Sequence, residues 1–191
     1  MYDSKAERGK EIMQKKIGIS GSTLKIIAVV CMLLDHTAAV LLGYILIKNG
    51  IYSVEDISFS YIKELIQADP IGWIYLAYQI MRRILGRLAF PVYCFLLIEG
   101  FEKTGNRKKY AGRLFLFALI SEIPFNLAFS GKVFYSPYQN VFFTLFIGLL
   151  MIWVMEGVEK RWKSLLPKLT GWALVFLAAA VLSEKINCDY G

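Results

Sequence analysis

Histidine is almost missing from this chain: His36 is the single one among 191 residues. The three cysteines, Cys31, Cys94 and Cys188, stand far apart with no CxxC spacing. One imidazole and scattered thiols suggest neither a metal-ligand cluster nor a disulfide framework, so no metal is expected. There is also no P-loop, no GxGxxG turn and no GxSxG elbow, which removes the common phosphate, dinucleotide and serine-hydrolase signatures. A repeated pair of interrupted helices, expected of many transporters, is missing as well. Residues 1–23 are polar and basic, and the apolar run after them is too long for a signal-peptide core and lacks a small-residue cleavage site.

What the chain has in abundance is apolar surface. It is 57% hydrophobic and 15% aromatic, with a mean hydropathy of +0.50. Soluble domains are about 45–50% apolar, and runs near twenty apolar residues are exceptional in them. Here such runs recur at 24–47, 71–101, 110–129, 138–155 and 169–183. The pattern predicts an all-α, polytopic transmembrane helical bundle of about five helices. Residues 1–22 read as a basic cytoplasmic segment and 23–191 as one transmembrane domain. The unit at 71–101 is too long to cross upright and carries Arg82, Arg83, Arg87 and Pro91, which predicts a strongly tilted or broken helix, or an interfacial piece followed by a short span. The stretch Asn187–Gly191 reads as a connection into a further helix, as though the chain were truncated.

The net charge of +7 follows the hydrophobic units rather than forming a nucleic-acid surface. Thirteen basic residues (Lys5, Arg8, Lys10, Lys15, Lys16, Lys103, Arg107, Lys108, Lys109, Lys160, Arg161, Lys163, Lys168) fall on one side of the alternation and four (Lys48, Lys63, Lys132, Lys185) on the other. The positive-inside rule then places the N-terminus inside a cytoplasmic membrane, with lipids as the immediate surroundings and no nucleic-acid partner. The outer 48–70 segment, with Glu55, Asp56, Glu64 and Asp69, suits a short amphipathic helix on the outer face.

Within these spans a few polar residues stand out. A charge at a helix centre costs about 2.5–3.5 kcal/mol on insertion scales, so Asp35 and His36 in the middle of the first unit need a reason. Lys25, eleven residues before His36, shares its stripe at about 16–17 Å of rise, whereas Asp35 points about 100° away toward a neighbouring helix. One reading makes His36 a general base tuned by Asp35; the other makes both residues silent helix–helix glue. Arg83 and Arg87 share a face, and with Arg82 they suit a phosphorylated cosubstrate or, equally, lipid head groups and the carboxylates of Glu99 or Glu122. Glu122 and Asn126 bracket Pro124 as structural polar support, and Asn140 with Thr144 opens the fourth unit as a cap or cavity lining.

These residues carry a family resemblance. The segment Thr23-Leu-Lys-Ile-Ile-Ala-Val-Val-Cys-Met-Leu-Leu-Asp-His-Thr resembles the first helix of the TraX family. The likeness continues through Arg87-Leu-Ala-Phe-Pro-Val-Tyr-Cys-Phe-Leu-Leu-Ile-Glu-Gly-Phe, the Thr-Gly-Asn-Arg-Lys-Lys-Tyr loop, Ser121-Glu-Ile-Pro-Phe and Asn140-Val-Phe-Phe-Thr-Leu, over roughly residues 22 to 191. The resemblance implies a membrane acetyltransferase that takes acetyl-CoA as cosubstrate and modifies the N-terminal amine of a pilin or another envelope acceptor. More loosely, Lys25-x10-His36 is similar to the pattern of acyltransferase-3 membrane enzymes. That likeness implies His36 as base and Lys25 as a holder of the acyl donor. Two other classes remain open on the residues alone: a non-enzymatic component of a conjugation or envelope assembly, and a small transporter relaying protons through Asp35 and His36.

Overall fold

The structure, a computed structural model, describes residues 20–51, 58–135 and 137–188. The basic N-terminal segment, Glu55, Asp56 and the last three residues lie outside this range. The described residues form an all-α bundle: α1 (Gly21–Lys48), α2 (Phe59–Ala68), α3 (Ile71–Lys103), α4 (Arg107–Ser130), α5 (Val141–Arg161) and α6 (Leu165–Ile186). All but α2 are long and apolar enough to cross a membrane. The starts of α1, α4 and α5 are set by local chemistry. Ser20 accepts from Thr23 N at 3.1 Å, Asn106 from Lys109 N at 2.9 Å and Asn140 from Phe142 N at 3.0 Å, each supplying an acceptor to an otherwise orphaned helix donor.

The second unit is neither a broken helix nor an interfacial piece followed by a short span: α3 is one unbroken helix of 33 residues, the length that the tilted reading requires. Arg82 and Arg83 lie in a π-helical stretch, Ile80–Gly86, and Pro91 sits inside the helix without ending it. Helix α1 carries its own π stretch, Ala38–Leu42. The two helices run antiparallel and stay in step. Gly21 lies against Glu99 at one end, Asp35 against Gly86 in the middle, and Leu46 clusters with Tyr75 at the other end. The two π stretches meet across this pair.

The amphipathic helix expected in the 48–70 segment is present as α2. Tyr61, Ile62 and Leu65 pack onto the cluster of Leu46, Ile51 and Tyr75. Gly72 is required at the α2–α3 turn, because a methyl there would stand 2.4 Å from the backbone nitrogen of Ile66. Helices α3, α4 and α5 share a second core of Leu97, Phe101, Ala111, Leu145 and Leu149. Helix α6 packs along α5, and Gln139 N bonds Asn187 O at 3.0 Å to tie its end to the 131–140 connection. The start of α1 and the 104–106 and 162–164 connections therefore share one end of the bundle. This end holds Lys103, Arg107, Lys108, Lys109, Lys160, Arg161, Lys163 and Lys168 and is called here the basic end.

Candidate functional site

The site is built where α1 and α3 cross the level of the first residues of α5. Asp35 is 7% exposed as a residue and faces α3, as its position one step from the Lys25–His36 stripe requires. There it meets Arg82, whose Nη1 donates to Oδ1 at 2.9 Å and to Oδ2 at 2.8 Å. Tyr78 also interacts with the Arg82 guanidinium. A buried carboxylate left alone would be very costly, and the guanidinium supplies both the opposite charge and the donors.

Close approach of the two helices depends on Gly86. A methyl group there would stand 2.1 Å from Asp35 Oδ1 and 2.9 Å from its Cβ. Contacts this short are impossible without moving the carboxylate, so the missing side chain at position 86 lets Asp35 fit under α3.

His36 is held differently from the sequence expectation. Its Nδ1 lies 3.7 Å from Asp35 Oδ2, too long for a hydrogen bond, and 2.9 Å from the carbonyl of Met32 one turn earlier. A carbonyl only accepts, so Nδ1 carries a proton, and in the tautomer that this bond selects Nε2 bears the lone pair. The ring is oriented by its own helix backbone and by edge-on contacts with Phe125 and Phe129 of α4, at centroid distances of 6.4 and 5.6 Å. Asp35 supplies negative charge nearby without fixing the ring. The two residues line a cavity of about 20 Å³ with Gly86, Ala89, Phe90 and Tyr93 of α3 and Val141 of α5. That is room for about one water-sized group.

The other residues singled out from sequence are only partly brought together. Lys25 is exposed and lies ten residues, about 15 Å of helix rise, from Asp35 toward the basic end. Arg82 is taken up by Asp35, which removes it from the set of residues free to hold a donor. Arg83 Nε donates to Gln79 Oε1 at 2.9 Å, and Arg87 is exposed on the outer side of α3. Glu99 lies beside the first turn of α1 and pairs with Lys103.

Glu122, Asn126 and Asn140 form a separate polar group under the 131–140 connection. Asn140 Nδ2 donates to Glu122 Oε2 at 2.6 Å and to Ala118 O at 2.9 Å, while Asn126 Nδ2 reaches Val133 O at 3.4 Å. Glu122 Oε1 and Asn126 Oδ1 are buried without a partner. The group adjoins the His36 cavity through consecutive residues, because Asn140 precedes Val141.

Sequence reasoning missed Gly86, the Met32 carbonyl, Phe125 and Phe129. Among these only Gly86 left a mark in the sequence, a glycine set inside the arginine-bearing stretch of a long apolar helix.

Comparison with known proteins now decides the family. The family model described as TraX protein matches residues 20–191. The chain belongs to the TraX family. Within curated proteins this TraX chain is similar to the probable fimbrial assembly protein FimC, serogroup H1, of Dichelobacter nodosus, at 30% identity over 186 residues. The alignment covers 94% of this chain and 60% of that relative, so the chain spans about three-fifths of the relative's length. No solved structure matches it.

Proposed function

We propose that this TraX chain is an integral membrane acetyltransferase, moving an acetyl group from acetyl-CoA to an amine or hydroxyl acceptor of a pilus or envelope component. The observation that carries this reading is the state of His36. Its Nδ1–H is committed to the Met32 carbonyl, and its free Nε2 belongs to a side chain lining a cavity beside the Asp35–Arg82 ion pair. A histidine acting only as interhelical glue would use its second nitrogen to bond a neighbouring helix, and no such bond exists among the described residues.

In this mechanism Nε2 removes the acceptor's proton as the acceptor attacks the thioester carbonyl. The new C–N or C–O bond forms, the C–S bond breaks, and the proton returns from Nε2 to the departing thiolate. Asp35, 3.7 Å from Nδ1, stabilises the transient imidazolium by charge. Phe90 and Tyr93, which line the same cavity, limit the water that can reach the thioester. Lys25 and Arg87, both exposed, are cations that would meet the donor's phosphates, Lys25 in the role that the acyltransferase-3 likeness suggests. The N-inside orientation in the cytoplasmic membrane belongs to the same proposal and rests on the basic end of the bundle.

The test is acetyl transfer from labelled acetyl-CoA in membranes bearing the chain. His36→Ala is expected to lower transfer at least about 100-fold, the usual worth of a general base, with unchanged expression and helix content. Full activity in that variant overturns the assignment. The printed name of the Dichelobacter relative favours a second reading, a non-enzymatic assembly component. In that case wild-type membranes label no acceptor, and His36→Ala leaves pilus assembly untouched.

A further inference from the structure

Acyl transfer from a thioester creates a charge that His36 and Asp35 do not meet. Attack on the carbonyl carbon puts negative charge on the carbonyl oxygen, and sites that speed this step aim a hydrogen-bond donor at it. The leaving thiolate makes a smaller demand, since a thiol has a pKa of about 8.5 and His36 Nε2 returns a proton to it. Neither polar side chain already placed in the cavity can serve the oxygen. His36 Nδ1–H is bonded to Met32 O, and the Asp35 carboxylate only accepts.

Apart from these two, the side chains lining the cavity are apolar except for that of Tyr93 on α3. Its phenol makes no hydrogen bond among the described residues, yet the half-buried hydroxyl keeps accessible surface. Helix geometry turns it toward the site. Tyr93 lies seven residues, about 10 Å of rise, beyond Gly86, and a long side chain on a helix leans back toward the helix N-terminus. That direction leads to the level of Gly86 and Asp35. The phenol also interacts with Cys31, a buried residue one turn before Asp35, so it faces α1 and not the lipid.

We propose that Tyr93 is a second catalytic residue of this site, its Oη–H donating to the thioester carbonyl oxygen while His36 Nε2 takes the acceptor's proton. The inference rests on the acetyltransferase reading. As the acceptor's lone pair forms the new bond to carbon, the C=O pair moves onto oxygen, and Tyr93 holds that oxyanion without giving up its own proton. Collapse restores the C=O bond and breaks the C–S bond, and the thiolate leaves with the proton from Nε2. Tyr93 stands on the basic-end side of His36, the side where Lys25 would meet the donor. An incoming thioester therefore reaches phenol and imidazole together. Tyr93 also packs against the core that holds Leu97 and Leu145, and Tyr93→Phe keeps that ring while removing only the hydroxyl.

The experiment uses the full chain in membranes with acetyl-CoA carrying carbon-13 at the carbonyl. Tyr93→Phe is expected to lower kcat about 100-fold to 1,000-fold, the worth of one oxyanion donor, with KM for acetyl-CoA changed by less than about twofold. Replacing Tyr93 with a ring-fluorinated tyrosine, which keeps the hydroxyl, should leave kcat within about threefold of the wild type. Isotope-edited infrared spectra supply a readout that needs no turnover. The carbonyl band of the bound donor should lie lower in the wild type than in Tyr93→Phe, and His36→Ala should keep the wild-type band although it transfers nothing. Equal bands in the wild type and Tyr93→Phe, or a kcat in Tyr93→Phe equal to that of the wild type, would overturn this inference alone. A loss as large in the fluorinated chain as in Tyr93→Phe would overturn it too, because the ring and not its hydroxyl would then matter. A wild type that neither binds the donor nor transfers its acetyl group would overturn the acetyltransferase reading, and this inference with it.

Discussion

Ion pairs stand at the basic end of this molecule and in its middle, and the surroundings differ. At the basic end the pairs are Glu99–Lys103, Glu156 with Arg107 and Lys160, and Glu159–Lys168, formed near helix termini by long side chains. The Lys103 and Lys160 side chains are 74% and 69% exposed. In the middle, the Asp35 side chain is 10% exposed and both its oxygens are taken by one guanidinium. Where water competes for the partners, as at Lys103 and Lys160, such pairs are worth about 0–1 kcal/mol each; Lys168, with 19% of its side chain exposed, is the most sheltered of them. The second kind gains little over an apolar pair of equal shape but is severe to break, because the survivor is a buried charge. The basic-end pairs therefore decorate a fold that forms without them, whereas the Asp35–Arg82 pair fixes how α1 and α3 meet.

That contrast can be broken at three points. Arg82→Met should have the largest effect, about 3–5 kcal/mol lost in reversible unfolding from mixed micelles, because Asp35 is left alone. The double variant Asp35→Asn/Arg82→Met should recover most of the loss; no recovery would mean that the pair is not what Arg82→Met removes. Gly86→Ala should cost about 1–3 kcal/mol, since the added methyl needs the space of the Asp35 carboxylate. It should also lower acetyl transfer, although every charged group remains in place, and a variant as active and stable as the wild type would refute the close packing. Lys160→Ala should change stability by less than about 0.5 kcal/mol in the same assay, and a loss as large as that of Arg82→Met would erase the distinction between the two regions.

The sequence made the five long helices readable because each is an apolar run bounded by charge or by a capping Ser or Asn, and both signals are local. It also marked Asp35, His36 and Arg82, because ionisable residues inside such runs are rare. It did not reveal their partners. The Asp35–Arg82 bond joins residues 47 apart, and nothing in either segment alone states which arginine of the three would turn inward. The orientation of His36 depends on Met32 O, and a backbone carbonyl looks the same at every position of a sequence. The continuity of α3 was hidden for a related reason. The arginines and Pro91 each argue for a break when counted separately, and the π stretch that holds Arg82 and Arg83 leaves no distinct composition.

The paired π stretches have one more consequence. Each residue of an α-helix advances about 100° around the axis, so a residue absorbed in a wide turn shifts the phase of everything beyond it. Helix α1 thus presents one angular setting at Asp35 and another at Leu46, and α3 does the same between Gly86 and Tyr75. Because both shifts fall at the same height, they act like a matched pair of gears, and the hairpin stays meshed on either side. Removing one residue from either stretch alone would rotate the α2-capped end against the half that holds His36, while removing one from each would turn both together.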